Sequence, residues 1–201
     1  MGGSRSTVIG RPRGFDVDEA LERAMRVFWE QGYEGASLAD LTSAMGIAKT
    51  SMYAAFGNKE QLFRKALQRY GDGPAAYASR ALEEPTARAA VEALLRGAAR
   101  TSTSPEDFAG CLTVQGALAS SDESRPAHDV LVQWRNDSGV RLEQRFRRAV
   151  DEGDLSSETD PKRLARYIMT VAFGISVQAA NGLSRAELDE IIDETMRTWR
   201  W

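Results

Sequence analysis

SLADLTSAMGIAKTSMYAAFGNKEQLF, residues 37–63, decides the fold. Ser37 can cap a helix with Asp40 at its N3 position, and Leu38, Leu41 and Met45 recur behind it at helical spacing. Gly46 breaks the chain. A second short helix is expected over 48–56, with Met52 and Phe56 on one face. Gly57 breaks it again. Asn58 then caps a longer helix, with Gln61 at N3 and Leu62, Phe63, Ala66, Leu67 and Tyr70 following. Two short helices around a glycine turn are the grammar of a helix-turn-helix, whose second helix can enter a DNA major groove. The face opposite Met52 and Phe56 offers Lys49, Thr50, Tyr53 and Ala54. Small groups allow close approach, a hydroxyl can read a base edge, and an alanine methyl can meet a thymine methyl. Ser37 and the pair Asn58-Lys59 set backbone amides and a cation at helix N-termini, where phosphates bind. The same pattern also occurs in all-α proteins that never meet DNA, so spacing alone does not decide the function.

Working outward, a helix should start at Asp16, with Glu19 as its capping partner and Val17, Ala20, Leu21, Ala24, Val27 and Phe28 inward. Gly32 should end it. Before it lies MGGSRSTVIGRPRG, residues 1–14, read as a flexible basic arm. Its Arg5, Arg11 and Arg13 could reach a minor groove or the backbone. Downstream, Gly71-Asp72-Gly73-Pro74 marks the domain boundary, giving a head over 15–70 and a body over 71–201. Body helices are expected at 75–84, 86–102, 107–120, 126–152, 161–181 and 185–200. Pro85, Pro105, Pro126 and Pro161 sit where helices stop or start. No strand-like alternation occurs, so the fold class is all-α.

Composition narrows the function. The 201 residues include one Cys and one His, which excludes an intramolecular disulfide and the usual structural zinc sites. It also weighs against a His-based catalytic triad. No metal, cofactor or enzymatic activity is expected. No stretch is apolar for the ~20 residues a membrane span needs, and residues 1–14 lack a signal peptide's apolar core. A cytoplasmic protein without membrane contact is therefore expected. The net charge of −3 hides a contrast. Residues 1–70 carry 10 Lys and Arg against 8 Asp and Glu, and the remainder carries 16 against 21. The basic lean falls on the proposed DNA-facing part.

The segment 15–70 resembles the N-terminal domain of the TetR family of bacterial transcriptional regulators. The matching pieces are the run 24–32 with Tyr33, Ser37-Leu38-Ala39-Asp40-Leu41, Met45-Gly46-Ile47, Met52-Tyr53, and Phe56-Gly57-Asn58-Lys59-Glu60 before Leu62-Phe63. The resemblance implies a three-helix DNA-binding head on a larger helical body that binds ligand and dimerises. It implies that Tyr53 and Lys59 touch double-stranded operator DNA, the lysine through a phosphate. Thr50 and Ser51 would sit at the groove end of the recognition helix. Ala54 and Ala55 depart from the family, which often has bulkier side chains there. The arm, Lys49 and Lys59 would then carry more of the electrostatics. The resemblance also implies a homodimer built from 161–181 and 185–200, and a repressor released by a small-molecule effector. A stripe of Leu164, Ile168, Val171, Ala172, Ile175 and Ala179 fits the dimer seam, and equally an intramolecular core.

Phe108, Cys111, Gln115, Trp134 and Phe173 are the candidate ligand-binding residues, with plain core as the alternative. Gly110-Cys111-Leu112 looks like a Gly-Cys motif of one family branch. Burial is the usual fate of a free cysteine, and a slow thiol is expected. The alternative function is a redox or electrophile sensor acting through Cys111. Another rival is a helical ligand-binding protein that no longer binds DNA. His128 beside Asp129 is read as a surface or packing residue. Arg145-Arg147-Arg148, Asp189-Glu190 and Asp193-Glu194 are read as solvated helix faces.

Overall fold

The computed structural model describes residues 14–104, 109–116, 121 and 124–199. Every regular element among them is an α-helix. In the head, α1 (Val17–Gly35) is capped by Asp16, whose carboxylate accepts from the Asp18 and Glu19 amides. The backbone leaves helical geometry at Gly32 (φ 70°, ψ 177°), as the glycine signal predicts, and one more turn runs to Gly35. The short helix α2 (Leu38–Met45) has the full Ser37/Asp40 capping box and ends at left-handed Gly46. After α3 (Lys49–Phe56), the Asn58/Gln61 box opens α4 (Lys59–Asp72). Aromatic rings knit these helices. Phe63 meets Phe28 edge-on at 5.0 Å, and Tyr70 meets Trp29 at 4.8 Å.

The body comprises α5 (Tyr77–Ala81), α6 (Ala87–Ser102), α7 (Leu112–Gln115), α8 (Arg125–Asp151), α9 (Pro161–Ala180) and α10 (Arg185–Arg197). Two expectations shrink. The helix expected over 75–84 is regular only in α5. Of the helix expected over 107–120, the described residues keep only α7. Gly110 (φ 91°) turns the chain before it, and the Gln115 side chain accepts from the Cys111 amide at 3.0 Å. A glycine in that conformation cannot continue a right-handed helix.

Two apolar cores form. One fills the head and extends into the body through Cys111, Leu112, Val114, Ala127 and Leu131. The other joins α6, the C-terminal half of α8, α9 and α10. Leu164, Ile168, Ala172, Ile175 and Ala179 are buried in this second core. Of the two readings of this stripe, the intramolecular core holds for these residues, because α9 presses them against α6 and α8. The opposite face carries Tyr167, Thr170, Gly174, Val177 and Gln178 and is exposed.

The charge runs are corrected too. Arg145 is only 4% exposed. It donates to the Glu84 carbonyl at 2.9 Å, because its side of α8 faces the α5–α6 turn. Asp189 and Asp193 bind Arg96 of α6 at 3.2 and 2.7 Å and so pin α10 to it. His128 pairs with Asp129 at the surface.

Candidate nucleic-acid interface

Met52 and Phe56 are buried beneath α3, while Lys49, Thr50, Tyr53 and Ala54 are exposed. Tyr53 is 43% exposed, and Lys49 lies 5.9 Å over its ring. Ser51 is half-buried. The phenol and the hydroxyl of Thr50 therefore share one accessible face, with a cation beside them. Ser37 marks the N-terminus of α2, where its hydroxyl is already engaged with Asp40. Its hold on the Asp40 carboxyl keeps that group below the ordinary aspartate range.

Lys59 is less free than its position at a helix start suggests. Its Nζ lies 4.5 Å from the Tyr33 ring centroid, and burial pulls its pKa down while Glu34 opposes this. Ala54 and Ala55 leave a hollow of about 350 Å³, bordered by Gly14, Phe15, Ala48 and Ser51. Gly14, where the arm joins, is thus beside the recognition helix. Arg5, Arg11 and Arg13 lie outside the described residues.

Head and body meet at the last turn of α1. The Tyr33 amide donates to the Gly116 carbonyl at 2.8 Å. Glu34 accepts from the Ser121 amide at 2.7 Å and from the Ser124 hydroxyl, just before α8. These bonds hold the Glu34 carboxyl down to about 2. Sequence reading missed this junction. Its only local signal was Gly32, since the partners lie some 85 positions away and no periodicity links them.

In the body, Cys111, Trp134 and Phe173 line one small cavity of about 70 Å³. Phe173 also forms a wall of an open groove of about 850 Å³ between α8 and α9. Gln115 borders neither, being turned back to cap α7. Phe108 lies outside the described residues. Cys111 is buried; the Tyr70 hydroxyl donates to its Sγ at 3.2 Å, and Sγ and Thr113 Oγ1 share a hydrogen bond at 3.0 Å. Burial drives the Tyr70 phenol well above its usual pKa, so it stays a donor. The surroundings of Cys111 are therefore partly polar. A cation that couples to it electrostatically, Arg135, comes from α8 rather than from its sequence neighbours.

Among the described residues no cluster of His, Cys, Asp and Glu could hold a metal. None of their helices is long and apolar enough to cross a membrane.

Residues 20–66 match the bacterial regulatory proteins of the tetR family, and residues 85–194 match the tetracyclin repressor-like C-terminal domain. The HTH-type transcriptional repressor ComR of Escherichia coli (strain K12) is 34% identical over 192 residues, 94% of this chain and 91% of ComR. The HTH-type transcriptional repressor BdcR of the same strain is 29% identical over 189 residues, 92% of this chain and 89% of BdcR. A cysteine mutant of the TetR family transcriptional regulator CifR, complexed with 26bp double-strand operator DNA, has a TM-score of 0.91 at 46% identity. That match covers 94% of this chain and 100% of the CifR chain.

Proposed function

Because this chain belongs to the tetR family of bacterial regulatory proteins, we propose that it is a homodimeric repressor that leaves a palindromic operator when a small-molecule effector binds its body. One observation carries the DNA-binding part. The second helix of the pair, α3, is held from behind by Met52 and Phe56 and shows Lys49, Thr50, Tyr53 and Ala54 outward. Thr50 and Tyr53 read base edges, Ser51 and Ser37 flank them, and Lys49 and Lys59 meet phosphates. Arg11 and Arg13 of the arm add phosphate or minor-groove contacts.

The dimer is supported by the outward face of α9. Tyr167, Val177 and, on α10, Ile191 are large apolar groups that stay between 38% and 45% exposed in the protomer. Two such faces related by a two-fold axis set two heads against half-sites about one DNA turn apart. The effector acts by favouring a body conformation in which that spacing is lost. The head-body bonds at Tyr33 and Glu34 are the physical link through which it acts.

Cys111 acts here as a buried packing residue, which supports a non-covalent effector. The rival thiol-sensor reading predicts fast alkylation of native Cys111 with loss of DNA binding, absent in Cys111→Ser.

The test is footprinting on the DNA upstream of the protein's own gene, followed by fluorescence anisotropy with the protected fragment. A two-fold protected site and loss of binding in Tyr53→Ala support the proposal. Binding that is indifferent to α3 substitutions, or no protected site, removes it.

A further inference from the structure

Ser124 stands at the N-cap of α8, where a serine hydroxyl ordinarily accepts from the first amides of its own helix. Here it makes no such bond. Buried, it donates instead to Glu34 of the head, and the Ser121 amide donates to the same carboxylate oxygen at 2.7 Å. Glu34 is otherwise exposed, on the last turn of α1 beyond the left-handed Gly32. The body thus holds a head carboxylate with a hydroxyl that its own helix leaves free.

The residue before Glu34 carries Lys59. The Lys59 Nζ lies 4.5 Å from the centre of the Tyr33 ring. Lys59 is half-buried, and no carboxylate bridges it among the described residues. Its neighbour Glu60 is taken by Arg64 at 2.8 Å. Glu34 is the carboxylate whose charge Lys59 feels, and each favours the charged form of the other. An unbridged ammonium on an aromatic face can take a phosphate. A carboxylate that bridged it would compete for the same donors.

We propose that Glu34 is a positioning residue for the DNA contact of Lys59: held by Ser124 and Ser121 it leaves Lys59 to a backbone phosphate, and released from them it bridges Lys59 and displaces the phosphate. This rests on the reading of Lys59 as a phosphate contact. It adds that the head-body junction governs charge at the DNA face as well as the placing of the heads.

The test is DNA binding by fluorescence anisotropy over a range of salt, with Ser124→Ala, Glu34→Gln, Lys59→Ala and their pairs. Ser124→Ala removes a hold on Glu34 but no helix cap, so helix content should stay. It should weaken operator and unrelated DNA alike by about three-fold per half-site, the scale of an exposed ion pair. The salt slope should fall by up to about one per half-site. Adding Glu34→Gln should restore both, and in a Lys59→Ala background Ser124→Ala should change neither. Without DNA, the Lys59 pKa should rise in Ser124→Ala, read by NMR of the chain with 13C-dimethylated lysines and assigned with Lys59→Arg.

A merely structural Ser124 would lower stability without moving the salt slope or the Lys59 pKa, and that result overturns the proposal. So does a loss in Ser124→Ala that persists with Lys59→Ala. Unchanged affinity and salt slope in Lys59→Ala alone is a different failure: it removes the phosphate contact itself, and the proposal with it.

Discussion

Helices α3 and α9 are built alike and present opposite surfaces. Each buries one stripe: Met52 and Phe56 in α3, and Ile168, Ala172 and Ile175 in α9. The outer face of α3 is short, hydroxylated and cationic. The outer face of α9 shows Tyr167, Val177 and an open Gly174. Water solvates the first face well and the second poorly. The first suits a phosphate-lined groove, and the second suits another apolar face. The difference shows that a buried stripe reports only that a helix packs, whereas its exposed face reports against what it acts.

The contrast breaks most visibly on α9. Ile168→Ala cuts into the inner stripe and should cost about 2–5 kcal/mol of stability, measured by denaturant unfolding. Val177→Arg on the outer face should leave helix content intact and weaken the dimer by about 2–3 kcal/mol, read by sedimentation equilibrium. If both variants lose the same property, the two faces are not distinct.

On α3, Tyr53→Ala should lower specific operator affinity by about 1–3 kcal/mol with little effect on unfolding. Lys59→Ala should weaken all DNA alike and reduce the salt slope by about one per half-site. A sequence-dependent loss in the lysine variant would instead mean that the Lys59–Tyr33 contact positions the head.

Ser37→Ala removes one half of the α2 capping box and should cost about 1 kcal/mol of stability. The smallest effect is at the head-body junction. Glu34 is held down to about 2 by Ser121 and Ser124, against an ordinary value of about 4.5. The folded protein thus prefers the charged form. The junction's contribution is complete above the ordinary value and is lost as pH falls through about 2. Glu34→Gln should flatten the acid limb of stability over that window. An unchanged acid limb would mean the bonds are not held in solution.

The head was the most legible part. Ser37, Gly46, Gly57 and Asn58 act on their own neighbours, through caps and a left-handed turn, so their meaning is local. The all-helical class and the start of α9 at Asp160-Pro161 are legible for the same reason. The body was less so. The helix expected over 107–120 rested on apolar spacing, yet Gly110 and the Gln115–Cys111 bond hold the described part in a tighter turn. Arg145 reads as surface in a run of arginines, and only the facing α5–α6 turn makes it buried.

Sequence alone determined the head helices and the long body helices, the apolar stripe of each, and that a short helix pair presents hydroxyls and lysines. These follow from backbone conformation and from periodicity, both properties of a few consecutive residues. Tertiary structure alone decided which neighbour covers each stripe. It turned the Leu164–Ile168 stripe of α9 inward and left Tyr167 and Val177 outside. It brought Arg135 beside Thr113, and joined Tyr33 and Glu34 to residues beyond position 115. Such pairings depend on how helices cross. No local pattern encodes this, because any apolar stripe can be covered by any complementary one.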